Sequence, residues 1–411
     1  MTTTPRPVLA ARTATYAAFI GSGFAFASWA ARIPQVRDHL RLTPATLGLV
    51  LLSLSVGAFL GVTIAGWIVA RFGSRRTVMT TAIALGGALA VIAAGYTVGV
   101  PVLAAGLFLL GLANGIWDVA MNVQGTVVER RLGRSIMSRF HAGFSVGTVA
   151  GALISSLLLA LSVPVGAHLA GVAVVVAVSV ALISRDFLPD QHDPEPVAAD
   201  GPKQSTWTAW LEPRTLLIGI FVLAFTFAEG AGNDWISVAA IDGHALSPVA
   251  GTLAFAAFLT AMTLGRWFGP PLLDRYGRVP VVRGLALIGI AGTALFVFGP
   301  APFWVYAGTL LWGLGASLGF PVGMSAAADD PARAAARVSV VAALGYCAFL
   351  SGPPVIGFLG AHVTVVRALL VIAVLFGIAA LISGSVRPLP QSSSSSQSPS
   401  APDRTAADRS S

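Results

Sequence analysis

The sequence predicts an all-α integral membrane protein: twelve transmembrane helices in two pseudo-symmetric six-helix halves, with the N and C termini cytoplasmic. Three observations carry this. Apolar residues fill 55% of the 411 positions and charged residues only 10%, where a soluble domain carries roughly 25%. The charges are clustered, which leaves long uncharged runs. The clusters are rich in Arg and recur in alternate loops.

The uncharged runs justify the helices in order. No charge lies between Arg12 and Arg32, Asp118 is the single charge between Arg76 and Glu129, and none occurs between Arg283 and Asp329. A span needs about 20 mostly apolar residues, so the longer runs hold two. Gly99-Val100-Pro101, Pro164-Val165-Gly166 and Gly299-Pro300-Ala301-Pro302 divide them. The spans are 13–33, 45–70, 77–98, 102–125, 138–161, 164–184, 214–238, 248–273, 280–299, 302–327, 335–360 and 364–384. The first has the basic start of a signal peptide, but its spanning length and the many spans that follow mark it as an uncleaved helix. Residues 1–12 form a cytoplasmic N-terminus, 13–184 and 214–384 the two halves, 185–213 a polar cytoplasmic linker, and 385–411 a Ser-rich disordered cytoplasmic tail.

The net charge of +8 comes from loop clusters rather than a nucleic-acid face. Arg71, Arg75 and Arg76 form one, then Arg130, Arg131, Arg134 and Arg139, then Arg275, Arg278 and Arg283, then Arg333 and Arg337. Arg32, Arg37 and Arg41, after the first span, are the exception. This asymmetry places both termini on the cytoplasmic side. The single cysteine, Cys347, excludes an internal disulfide framework. No Walker loop, metal-ligand spacing or nucleophile elbow is present, so no enzyme, cofactor, metal site or nucleic-acid partner is expected.

The halves read as repeats. A shift of 204 residues lays Leu42-Thr43-Pro44 on Leu246-Ser247-Pro248, and Arg71-Phe72-Gly73 on Arg275-Tyr276-Gly277. Parallel repeats of this kind place a solute near mid-membrane, between the halves.

A few polar residues inside the spans carry the chemistry. Asn114, Asp118 and Asn122 recur every four residues on one face of the fourth span. A lipid-facing carboxylate would cost about 2.5–3.5 kcal/mol or more, so Asp118 should face a cavity or a partner. Desolvation penalises its charged form, and proton coupling needs a carboxylate that takes up and releases a proton; hydroxyl binding or a helix-packing network would use the same face. Thr226, Glu229, Asn233 and Ser237 make a matching stripe in the seventh span, with Asp234 nearer its outer end. His141 opens the fifth span as a possible proton relay or a helix-end hydrogen bond. Gly143, Gly147 and Gly151 permit close helix approach, and Pro321 and Pro353-Pro354 would bend their helices.

Leu273-Asp274-Arg275-Tyr276-Gly277-Arg278 resembles the D-R-x-G-R loop signature of the major facilitator superfamily. The first-half counterpart, Ala70-Arg71-Phe72-Gly73-Ser74-Arg75-Arg76, departs from it, with Ala70 where that family has Asp. The resemblance implies a charge lock at the cytoplasmic helix ends that helps hold the two halves closed on that side, with Glu129 as the substitute acidic partner of Arg71 or Arg75. A narrower resemblance rests on Trp29-Ala30-Ala31-Arg32-Ile33-Pro34, Trp117-Asp118-Val119-Ala120-Met121-Asn122, Phe140-His141-Ala142-Gly143, Glu229-Gly230 with Asp234-Trp235, and Gly352-Pro353-Pro354. Together they are similar to the rhizopine-transporter-like branch and to the fucose–proton symporters.

That resemblance implies a monomeric secondary transporter of the bacterial cytoplasmic membrane, whose partners are the lipid bilayer, a sugar- or cyclitol-like solute and a coupling proton. Asp118 and Glu229 would carry the proton or bind hydroxyls, while Asn114, Asn122 and Asn233 would give specificity. Trp29 and Trp312 would stack on the solute, and Arg32 would pair with Asp234 at the outer mouth. An efflux antiporter for amphipathic compounds is the alternative.

Overall fold

A computed structural model describes residues 5–133, 136–190, 206–331 and 333–389. Arg134, linker residues 191–205 and the Ser-rich stretch from 390 onward lie outside the described residues. The fold is helical throughout: α1 (Arg6–Ala30), α2 (Ile33–His39), α3 (Pro44–Phe72), α4 (Ser74–Val98), α5 (Val100–Leu132), α6 (Met137–Ala160), α7 (Val165–Ile183), α8 (Thr206–Trp210), α9 (Pro213–His244), α10 (Pro248–Phe268), α11 (Pro270–Tyr276), α12 (Arg278–Phe298), α13 (Pro302–Ala316), α14 (Gly319–Ala327), α15 (Ala334–Val363), α16 (Val365–Ala368) and α17 (Leu370–Ile382).

Among the described residues, eleven helical segments are long and apolar enough to cross a membrane. They coincide with the second to twelfth predicted spans. The first helix, α1, falls outside that set; it is 25 residues long and starts at Arg6 rather than 13. Two helices overrun their predicted ends because nothing stops them earlier. α5 continues to Leu132, where Gly133 turns left-handed (φ 63°), and α9 continues to His244, where Ala245 does the same (φ 51°).

The matched repeat positions adopt matching local structure. Thr43 caps α3 by accepting from the Thr46 N–H at 3.2 Å, and Ser247 caps α10 by accepting from Ala250 at 3.2 Å, each followed by Pro at the first helical position. Gly73 and Gly277 sit at φ/ψ 79°/156° and 81°/163°, a region essentially restricted to glycine. A Cβ at Gly277 would meet no neighbour within 4 Å, so Gly277→Ala isolates the backbone effect. It is expected to destabilise by about 1–3 kcal/mol, read as a lowered thermal midpoint in detergent.

Three spans are broken among the described residues; one break, at Leu369 between α16 and α17, has no proline beside it, and the other two do. Gly269 followed by Pro270 and Pro271 separates α10 from α11. Between α13 and α14 the chain breaks at Ser317-Leu318, one turn before Pro321. Proline has no N–H to donate to the carbonyl four residues earlier, which frees Ser317 O. Pro353 and Pro354, by contrast, lie inside an uninterrupted α15.

Within the first half α3 and α4 pack on α5, α1 on α6 and α4 on α7; in the second, α9 packs on α15 and α12 on α13 and α17. The halves meet along two crossings, α3 with α15 and α6 with α10. Contact is closest at the end away from the Arg-rich loops. There a Cβ on Gly48 would lie 2.5 Å from Pro353 O, and one on Gly357 2.5 Å from Pro44 O. At the same end Arg37 of α2 pairs with Asp242 of α9, and its Nη2 donates to Asp242 Oδ1 at 2.9 Å.

Candidate functional site

Between the halves lies a cavity of about 310 Å³. Asn114 and Asp118 reach its wall from α5, and Glu229, Asn233 and Asp234 from α9, so both polar stripes face one space. Arg266 of α10, Tyr346 of α15 and the hydroxyls of Ser55, Ser145 and Thr148 complete the polar lining; Phe26, Phe59, Phe144 and Phe349 supply aromatic surface.

The Asn114 Oδ1 accepts from Ser22 at 2.9 Å, which leaves its amide nitrogen for other partners. The Asn233 Oδ1 is buried with no hydrogen-bond partner. Asp118 and Asp234 form no ion pair among the described residues. Glu229 does: Arg266 Nη2 donates to its Oε2 at 2.7 Å. Arg266 Nε also donates to the freed Ser317 O at 3.2 Å. Charged residues inside a span have to face a cavity or a partner, and Arg266 has both. Arg266 is not among the site residues expected from the sequence, although a lone Arg in the apolar run 248–268 is itself a signal.

Several expected site residues stand elsewhere. Trp29 and Trp312 are buried off the cavity wall. Trp312 packs edge-on to Phe258 and Phe296, at 5.6 and 5.9 Å, and its indole N–H donates to Ala228 O at 3.2 Å. Both are core rather than stacking surfaces. Asn122 is one turn below the wall, where its amide donates to Asp118 O at 2.8 Å and approaches Asp118 Oδ1 at 3.4 Å. His141 lies off the wall, edge-on to Phe19 at 5.1 Å, and close enough to Arg266 across the halves to feel its charge.

The outer pair Arg32–Asp234 is not formed. Arg32 is buried and donates from Nε to His168 Nδ1 at 2.9 Å and from Nη2 to Val163 O at 3.2 Å, while Asp234 faces the cavity. The ion pair that joins the halves at that end is Arg37–Asp242 instead. Arg37 and Asp242 carried no sequence signal beyond their charge, because the pairing depends on how two distant helix ends meet.

The loop-signature residues divide into exposed and paired. Arg71, Arg75 and Asp274 are exposed, and Arg275 lies 5.1 Å over the Tyr276 ring. Arg278 donates to Asp329 Oδ1 at 2.7 Å and Ser325 Oγ at 2.9 Å, and Arg214 donates to Asp329 Oδ2 at 3.1 Å. All these partners belong to the second half, so this lock ties α9, α12 and the end of α14 together. In the first half, Glu129 Oε2 accepts from the backbone N–H of Ile136 and of Met137 at 2.7 Å each, capping α6. The carboxylate at the Gly73-Ser74 turn is that of Asp190, which accepts from the Ser74 N–H and hydroxyl. Gln124 meets the Ser74 hydroxyl at 3.0 Å and, with its amide turned, bonds Leu188 N and O at 2.8 and 3.2 Å.

Glu212, just before α9, binds Arg337 (2.6 Å) and Arg333 (3.0 Å). The Arg337 hydrogen bond holds its carboxyl below the usual carboxylate range. A depressed folded-state value stabilises above the unfolded pKa, and that stability is lost as pH falls through the folded one. Glu212→Gln is therefore expected to destabilise the fold at neutral pH by about 1 kcal/mol or less, read as a lowered thermal midpoint. The difference from wild type should close as melting curves are taken below about pH 4.

Comparison with known proteins matches this architecture. The chain is 31% identical over 86% of its length to an uncharacterized MFS-type transporter of Yersinia pestis, covering 90% of that protein. It is 28% identical over 86% of its length to membrane protein MosC of Rhizobium meliloti, covering 84% of it. Its fold superposes on the E. coli fucose:proton symporter with a TM-score of 0.62 at 15% identity, over 91% of this chain and 98% of that one. These agree with the resemblance drawn from the motifs. With the family profile matching residues 15–347, and again 231–409, the chain belongs to the Major Facilitator Superfamily.

Proposed function

We propose that the protein moves a small polar solute, sugar- or cyclitol-like, across the bacterial cytoplasmic membrane by alternating access in symport with protons. The observation that carries this is one cavity to which each half contributes a carboxylate and an amide: Asp118 and Asn114 from α5, Asp234 and Asn233 from α9. The unpartnered Asn233 Oδ1 and the free nitrogen of Asn114 can meet solute hydroxyls. Asp118, without an ion pair, is the proton carrier in this reading. Likeness to a fucose:proton symporter supports the solute class and the coupling.

Counting α1 with the eleven apolar segments gives twelve spans, an even number that returns the C terminus to the side of the N terminus. The Arg-rich loops make that side cytoplasmic. The first half (13–184) and the second (214–384) then rock about the cavity, the linker 185–213 joins them on the inside, and a monomer suffices because one chain encloses the cavity. The sealed end is the outer one.

The four phenylalanines on the wall favour a second reading, proton-driven efflux of amphipathic compounds. Proteoliposomes separate the two. L-fucose or myo-inositol added outside should draw protons inward with the solute. Proton release driven by ethidium accumulation, with no response to either polyol, would sink the symport reading and leave efflux.

A further inference from the structure

We propose that Arg266 is a positioning residue of the cavity: it keeps Glu229 in an ion pair, so that Asp118 and Asp234, one from each half, are the carboxylates that exchange protons. This rests on the symport reading above.

The geometry is specific. The Nε and Nη2 of Arg266 are both occupied, Nη2 by Glu229 Oε2 at 2.7 Å and Nε by Ser317 O at 3.2 Å. Ser317 O is available because Pro321 cannot donate to it. One guanidinium thus ties a cavity carboxylate on α9 to the break between α13 and α14. Arg266 is also the one cationic side chain on the wall among the described residues.

The charge balance follows. Glu229 and Arg266 together are neutral. Protonating Glu229 would leave a guanidinium uncompensated in a largely apolar wall, which is strongly unfavourable. Protonating Asp118 or Asp234 strands nothing, because neither forms an ion pair. The charged and titratable groups around Glu229 are Arg266 on α10, Asp118 on α5, Tyr346 on α15 and Asp234 on its own helix, with His141 of α6 off the wall but within electrostatic reach of Arg266. None but Arg266 can compensate the Glu229 charge at hydrogen-bond distance. Its two contacts also mean that the pairing of Glu229 and the bend of the tenth span change together.

The test compares wild type with Arg266→Gln, Arg266→Lys, Glu229→Gln and the double variant Arg266→Gln/Glu229→Gln. The readouts are proton-coupled L-fucose and myo-inositol uptake against pH in proteoliposomes, and thermal melting against pH in detergent without solute. Arg266→Gln leaves Glu229 unpaired; uptake should fall about tenfold or more, and both pH profiles should gain a titration step. The double variant should lose that step and recover most of the lost uptake, and Arg266→Lys should keep the wild-type profile. The proposal is overturned if the double variant stays as defective as Arg266→Gln with its profile unchanged. It is equally overturned if Glu229→Gln alone stops proton movement while solute exchange continues, since Glu229 would then be the carrier. If wild type moves neither polyol, the symport reading fails, and the melting curves still decide whether Arg266 holds Glu229 charged.

Discussion

Replacing Asp118 by asparagine should abolish accumulation of solute against a gradient while leaving solute exchange across the membrane in place. The amide keeps the size and much of the hydrogen bonding of the side chain but cannot gain or lose a proton. It resembles the protonated carboxyl permanently, so the cycle loses the step that ties solute movement to the proton. Uphill uptake should drop by about two orders of magnitude, the scale of losing a proton-transfer group. Counterflow of labelled solute between equal concentrations should fall far less. Both are measured in proteoliposomes with an imposed pH gradient. Retained proton-driven accumulation would remove Asp118 from the coupling role.

Gly48→Val should act by a different route, on the balance between the sealed and open states. A Cβ at Gly48 would lie 2.5 Å from Pro353 O, 3.1 Å from its carbonyl carbon and 3.2 Å from the Gly357 Cα. These are backbone atoms of α15, with no flexible side chain to move aside. The two halves must separate at that end, so the sealed state becomes the rare one. A shift of about tenfold or more in the ratio of states is expected. A single cysteine in place of Ala58, on the cavity wall and in a Cys347→Ser background, reports it. An impermeant thiol reagent added from the sealed side should react faster in the Gly48→Val protein. Unchanged labelling would show that α3 and α15 adapt without opening.

The spans were legible because membrane insertion writes them as uncharged runs, and the break before Pro321 because proline acts locally, but the break at Gly269 fell inside a span read as continuous and the one at Leu369 carries no Gly or Pro. Helix ends were less legible: α5 and α9 stop only at left-handed residues beyond the apolar stretch. Asp118, Asn114, Glu229 and Asn233 could be found because a polar residue inside a span needs a reason. What each of them touches could not. That Glu229 has a partner in Arg266, that Trp312 packs between two phenylalanines, and that Arg37 rather than Arg32 bridges the halves all depend on pairs far apart in the chain. The missing acid at Ala70 is similar. The sequence pointed to the gap, whereas the carboxylate found at the turn, Asp190, comes from beyond the sixth span.

In the proposed cycle the contact between Gly48 and Pro353 would stay closed while the opposite ends of the halves open, so in that part of the cycle α3 would turn about it. α3 has 29 residues, and at 1.5 Å per residue it makes an arm of about 44 Å. With the pivot near one tip, a tilt of about 10° carries the far tip through about 8 Å on that arm. Little motion is needed where the halves touch, and much is gained where the Arg-rich loops lie.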